Sequence, residues 1–344
     1  MPWFPQNKYL WDFWFARKED ELHLFYLQAD QSECGFNPDL RHNLASVGHA
    51  VMTGWGWKEF DEVALARSVN GSWDNLSIWT GSVIQDEASG LHYLFYTARS
   101  AEDKTIWTPS EWQRPQQIGL AVSRDLQVWE RTSLSKKVPV IPNPGKMIGL
   151  DGVAWRDPYV IRGENGRWQA FVCARLNPHD ADNKHIGLDA GGVVAWLETE
   201  SLEEWNVATT RRLVASDEFY QLEVPQVFWR RFENGKRFYL IFCTQEKDCS
   251  RARRQRVSED QCRTGTYYLV SDLLPHDHQD IPELSGSAKL LAEGWYAGRL
   301  LDPETDERPT FFGFQWADDS ERFVGGISDP MSVQFNEDGT IELM

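Results

Sequence analysis

Short apolar stretches separated by polar turns run along the whole chain, and one kind recurs five times. The copies are residues 22–29 (LHLFYLQA), 91–98 (LHYLFYTA), 167–174 (RWQAFVCA), 237–244 (RFYLIFCT) and 308–315 (RPTFFGFQ). Each is too short for a globular helix and rich in aromatic and aliphatic residues, so each reads as a buried strand. Their first residues lie 69, 76, 70 and 71 apart. A second apolar segment follows each copy, at 47–57, 118–129, 192–205, 265–273 and 323–333, and the first three end on a Trp beyond a polar turn. Two elements repeating in one order at this period predict four-stranded units stacked around an axis. The chain is therefore expected to be all-β: one five-bladed β-propeller of four-stranded antiparallel blades around a central funnel, filling residues 1–344 as a single domain. The polar insertions at 102–117, 177–191 and 246–264 lack apolar periodicity and read as surface loops, with at most a helical turn.

An acidic or aromatic residue stands 10 to 14 positions ahead of each repeated strand: Asp12, Trp79, Asp157, Glu223 and Tyr296. A propeller places equivalent positions around one axis, which predicts that these five meet at the mouth of the funnel. Three are carboxylates. Asp12 sits among Trp11, Phe13 and Trp14, so its charge must be hydrogen-bonded or face a cavity. Asp157 follows Arg156, which favours its ionised form, and precedes Pro158, which biases it toward extended backbone. Glu223 lies between Leu222 and Val224, an apolar setting of the kind that raises a carboxyl pKa. Any one of these acids alone reads as an ordinary capped or salt-bridged carboxylate. Together, two ionised acids and one that holds a proton are the equipment of glycoside cleavage. The leaving oxygen needs a proton, the anomeric carbon a nucleophile or activated water, and the cationic transition state nearby negative charge.

Four short blocks carry a family resemblance: Trp11-Asp12, Trp79-Thr80-Gly81-Ser82, Arg156-Asp157-Pro158 and Glu223-Val224-Pro225. In this order they resemble the signature blocks of the five-bladed propeller glycosidases acting on fructosides, glycoside hydrolase families 32 and 68, with more distant similarity to family 43. The resemblance implies a retaining hydrolase of β-fructofuranosides such as sucrose or short fructo-oligosaccharides, with fructosyl transfer when acceptors are abundant. It implies Asp12 as nucleophile, Glu223 as acid/base and Asp157 as transition-state stabiliser. Arg156 would grip the substrate, with Trp11, Trp79, Ser82 and Tyr296 lining the sugar site and Ser82 orienting Asp12. With the fifth blade filling the end of the sequence, the C-terminal β-sandwich usual in family 32 is not expected. Two alternatives stay open: an inverting, family 43-like arabinosidase or xylosidase, and a propeller that binds sugar without turnover.

Composition narrows the partners. A net charge of -17 disfavours nucleic acid and anionic membranes and suits a neutral carbohydrate, and 17 Trp, 18 Phe and 10 Tyr supply rings for core and sugar alike. The arginines at 251, 253, 254, 256 and 263 are interleaved with acids and read as a solvated loop. Five cysteines without metal-type spacing point to reduced thiols and a cytoplasmic location, and no secretion signal or membrane span is evident. No DxDxDG loop occurs, so neither a catalytic metal nor another cofactor is expected.

Overall fold

The computed structural model describes residues 2–69, 71–103, 114–284, 286–305 and 309–344. The centre of the 102–117 insertion, at 104–113, and Arg308 at the head of the fifth repeat lie outside this set. Blade I contains β1 (Lys8–Lys18), β2 (Glu21–Asp30), β3 (Ser46–Thr53) and β4 (Gly56–Glu59). Blade II contains β5 (Ser77–Asp86), β6 (Leu91–Arg99), β7 (Gln116–Ser123) and β8 (Glu130–Arg131). Blade III contains β9 (Leu150–Arg162), β10 (Trp168–Leu176), β11 (Gly192–Thr199) and β12 (Arg211–Ala215). Blade IV contains β13 (Glu223–Phe232), β14 (Gly235–Thr244), β15 (Gly265–Val270) and β16 (Lys289–Glu293). Blade V contains β17 (Trp295–Leu301), β18 (Thr310–Ala317), β19 (Phe323–Gly325), β20 (Met331–Phe335) and β21 (Ile341–Leu343). The strands of blades I to IV pair antiparallel in chain order; in blade V, β19 and β20 both pair with β18.

The five repeated stretches are the second strands of the blades, and the segments after them supply the third strands. Their near-continuous hydrophobicity has a physical cause. A second strand is paired on both edges, and both its faces are covered by neighbouring blades, so β2 is buried from His23 to Ala29. Five apolar clusters fill the five seams: Trp14 and Leu94 between blades I and II, Phe95 and Trp155 between II and III, Phe171 and Phe242 between III and IV, Tyr239 and Phe311 between IV and V, Leu10 and Phe312 between V and I. The innermost strands β1, β5, β9, β13 and β17 each contact the next, and β17 contacts β1. Trp3 and Ile327 exchange backbone hydrogen bonds at 2.8 and 2.9 Å, so the N-terminal segment bonds to the last blade and closes the circle.

Every innermost strand carries a β-bulge at the same height, seen as register shifts after Trp11, Trp79, Arg156, Glu223 and Tyr296. These five residues pair with Leu27, Thr97, Cys173, Cys243 and Phe314 at equivalent places in the second strands. The repeat positions expected from the sequence are therefore one residue out in two blades, at Asp12 and Asp157. Asp12 and Asp157 occupy the bulge itself, as does Thr80, whereas Trp79, Glu223 and Tyr296 occupy the preceding position alongside Trp11 and Arg156. A bulge turns consecutive side chains toward the same side, which is how one blade delivers two functional groups to the funnel. At Gly81, just past the bulge of blade II, an added Cβ would lie 2.0 Å from the Phe95 carbonyl oxygen. Gly81→Ala is expected to destabilise the fold by about 2–3 kcal/mol, read as a lower urea midpoint; an unchanged midpoint would contradict this packing.

The arginine-rich insertion departs from expectation. Residues Arg251–Arg256 form the one α-helix among the described residues, and Arg253 is fully buried rather than solvated. It pairs with Glu218 at 3.0 Å and donates to the carbonyls of Gln261 and Ala288. A buried guanidinium requires this full set of partners, and sequence spacing could not show that Glu218 supplies one of them.

Candidate active site

The bulges surround a cavity of about 500 Å³ at one end of the ring, lined by Trp11, Asp12, Trp79, Thr80, Arg156, Asp157, Glu223 and Tyr296 among others. All three predicted acids, and Trp11, Trp79, Arg156 and Tyr296, thus converge as the repeat implied. Ser82 does not. It is buried between blades II and III, where its hydroxyl accepts from the Val160 N–H at 3.1 Å. The hydroxyl that holds Asp12 is that of Thr80, which donates to its Oδ2. Thr80 stands at the bulge of blade II, one position from Trp79, and the corrected alignment is the signal that would have found it.

Asp157 is buried and Asp12 half-buried. Burial pushes Asp12 up to about 6; the Thr80 hydroxyl pulls against it, the charge of Glu223 adds to it, and Arg299 and Arg41 oppose it. Burial likewise pushes Asp157 up to about 7, against the pull of Arg156, with Asp12 and Glu223 adding to the rise and the Val224 N–H opposing it. The expectation that Arg156 keeps Asp157 ionised is therefore corrected: loss of water outweighs the adjacent arginine. The setting of Glu223 is corrected too. Its chain neighbours are apolar, but its carboxylate accepts from Arg156 Nη2 on Oε1 at 2.6 Å and from the Tyr296 hydroxyl on Oε2. Leu222 and Val224 are both buried.

The backbone is strained where the chemistry is. Asp157, Val224 and Ala297 take φ of 58, 52 and 49°, although none is glycine, and Val224 is β-branched. Pro158 and Pro225 do not impose extended backbone on their predecessors, because the bulge and local hydrogen bonds prevail over the pre-proline bias. The Asp157 N–H donates to Thr97 Oγ1 at 2.8 Å, and the Val224 N–H donates to Asp157 Oδ2 at 3.0 Å.

Aromatic walls frame the acids. The Trp79 indole donates to the His42 carbonyl at 2.8 Å, and the Arg99 guanidinium lies 3.8 Å from its ring centroid. Arg41 lies 5.3 Å from the ring of Trp11. The cavity is also lined by Asp39, His42, Gln116, Tyr220, Gln221, Gln245, Lys247, Asp248 and Trp316, none of which the repeat indicated. They lie in connections between strands or at strand ends, where no period exists to align. Among them, Gln221 Oε1 accepts from Arg156 Nη2 at 2.7 Å, and burial pushes Asp248 up to about 6.

Thr80→Val removes the hydroxyl that favours the charged form of Asp12. Its acid limb in a pH profile is expected to move upward by about one pH unit. An unmoved limb would show that this bond does not tune Asp12.

Residues 15–324 match the model of the glycosyl hydrolases family 32 N-terminal domain. Asp12 lies just ahead of that range, so its place in the site rests on the geometry above. Solved structures that share the fold include the following three. One is sucrose-6-phosphate hydrolase from Lactobacillus gasseri, with 17% identity and a TM-score of 0.67, covering 97% of this chain and 60% of that one. A levansucrase mutant from B. megaterium gives 13% identity and 0.67, covering 98% and 85%. A thermostable family-43 glycoside hydrolase gives 11% and 0.62, covering 98% and 93%. The chain thus spans about 60% of the length of the L. gasseri enzyme. No curated protein matches the sequence.

Proposed function

Because the chain belongs to glycoside hydrolase family 32, we propose that it hydrolyses β-fructofuranosides with retention of configuration, acting on sucrose or short fructo-oligosaccharides and transferring fructosyl groups when acceptors are abundant. The observation that carries this reading is the convergence of Asp12, Asp157 and Glu223, from three different blades, on one aromatic-walled cavity. Asp12, with Oδ2 engaged by Thr80, presents its other oxygen to the anomeric carbon and forms the glycosyl-enzyme bond as the C–O bond to the leaving group breaks. Glu223 delivers a proton to the departing oxygen and then takes one from the water that releases fructose. Asp157, one oxygen fixed by the Val224 N–H, accepts from sugar hydroxyls and sets negative charge beside the oxocarbenium-like transition state. Arg156 ties Glu223 to Gln221 and keeps the acid/base pointed at the cavity.

Attack requires ionised Asp12, so kcat/KM is expected to fall as pH drops below about 6. Purified protein incubated with sucrose, inulobiose and levanbiose should release fructose from at least one of them. No fructose from any of the three, under conditions where the protein is folded, would overturn the proposal. Inverted configuration in the first-formed sugar, read by proton NMR, would favour the pentosidase-type mechanism instead.

A further inference from the structure

We propose that Arg299 is the positioning residue that fixes the gap between Asp12 and Glu223, by closing a circuit of hydrogen bonds that passes through all five blades. The inference rests on the roles proposed above. Starting at blade I, Asp12 accepts from the Thr80 hydroxyl of blade II. The Thr80 carbonyl accepts from Thr97 Oγ1 at 2.8 Å, and Thr97 Oγ1 accepts from the Asp157 N–H of blade III at 2.8 Å. Asp157 Oδ2 accepts from the Val224 N–H of blade IV at 3.0 Å. Arg299, on β17 of blade V, donates through Nη1 to the carbonyls of Val224 at 3.2 Å and Pro225 at 2.7 Å. Its Nε donates to the carbonyl of Phe13 at 3.4 Å, next to Asp12, and the circuit is complete.

The placement matters because of what each bond holds. Phe13 directly follows Asp12, and Val224 directly follows Glu223, so one guanidinium grips the backbone just beyond both reacting carboxylates. Val224 is held at a φ of 52° by bonds on both sides, its N–H by Asp157 and its carbonyl by Arg299. A β-branched residue keeps that conformation only where its surroundings impose it. Arg299 is itself buried. The titratable groups facing it are Tyr159, Cys243, Asp157 and Asp12, and Asp12 in turn faces Glu223 and Arg41. Its cation therefore also favours the charged form of Asp12. Carboxyl separation decides between direct attack and a water-mediated route, and rigid support of a site is worth orders of magnitude in rate.

Arg299→Lys keeps the charge but cannot bridge three carbonyls, whereas Arg299→Gln loses both. Each is expected to lower kcat about 100-fold with KM within about threefold of wild type. The acid limb should rise by about one pH unit in Arg299→Gln and stay in place in Arg299→Lys. Thr97→Val, a near-isosteric change in the same circuit, should lower kcat about tenfold, and Thr97→Val with Arg299→Gln together should be no slower than Arg299→Gln alone. Wild-type kcat in Arg299→Lys, or losses that multiply in the double variant, would overturn the circuit. Should Arg299→Gln not fold, Arg299→Lys and Thr97→Val decide the matter. If wild type cleaves no fructoside, the functional proposal falls, and the circuit is judged by unfolding free energy between pH 4 and pH 8. Arg299→Gln should carry the loss of stability to higher pH than wild type, and an identical profile would refute the circuit independently of activity.

Discussion

Asp12→Asn is expected to lower kcat/KM on the preferred fructoside by about 10⁴-fold or more while making the folded protein more stable at pH 8. The two effects share one cause. An amide cannot attack the anomeric carbon, so the covalent route is lost. The same amide relieves the fold of a carboxylate that it holds out of water. The folded state binds the Asp12 proton more tightly than the unfolded chain does, with a pKa of about 6 in place of 3.8. Its stabilising contribution is therefore complete below the unfolded value of about 4 and lost as pH rises through 6. Asn, unable to ionise, does not suffer that loss. Urea unfolding should show the variant and wild type alike near pH 4 and the variant ahead by about 2 kcal/mol at pH 8. A variant less stable than wild type at pH 8 would mean that the charge of Asp12 is compensated within the fold.

Glu223→Gln carries the second large effect, and its signature is selective. The amide keeps the shape of the carboxyl and an oxygen for Arg156, but has no proton to give. Sucrose hydrolysis is expected to fall about 10³-fold, within the usual range for a general acid. A fructoside with an activated leaving group needs little protonation, so its first step should be slowed less than about tenfold. Release of fructose from the enzyme still needs a base, and added azide should restore turnover by attacking the intermediate without one. Equal losses on both kinds of substrate would assign Glu223 a binding role in place of acid/base chemistry.

The number of blades and their second strands were legible because those strands are buried on both faces, which leaves near-continuous apolar runs at a fixed period. The acids were legible because Asp12 and Glu223 interrupt apolar sequence, where a carboxylate without a reason is costly, and Asp157 stands in an Arg-Asp-Pro block. What escaped was local geometry. A bulge inserts one residue, and counting from strand starts cannot tell on which side it falls, so Thr80 was passed over at blade II, and the family resemblance named Ser82 where the Thr80 hydroxyl holds Asp12. Pro158 suggested extended backbone at Asp157, yet hydrogen bonds to Thr97 and from Val224 hold it left-handed. Partners of Glu223 were misjudged for a related reason: Leu222 and Val224 are its neighbours along the chain, but Tyr296 and Arg156 are its neighbours across blades. Arg299 gave no signal at all, since its role depends on carbonyls of Phe13, Val224 and Pro225 that only ring closure brings together.

In the proposed reaction Asp12 attacks the sugar while Glu223 and Asp157 face it across one cavity. Incubating Glu223→Gln with an activated fructoside and mapping the protein by mass spectrometry addresses this most directly, because the variant should form the intermediate faster than it releases it. The expected result is one fructosyl group on the peptide containing Asp12, absent when Asp12→Asn is combined with Glu223→Gln. Fructose release without any labelled peptide, or a label on another residue, would contradict the account.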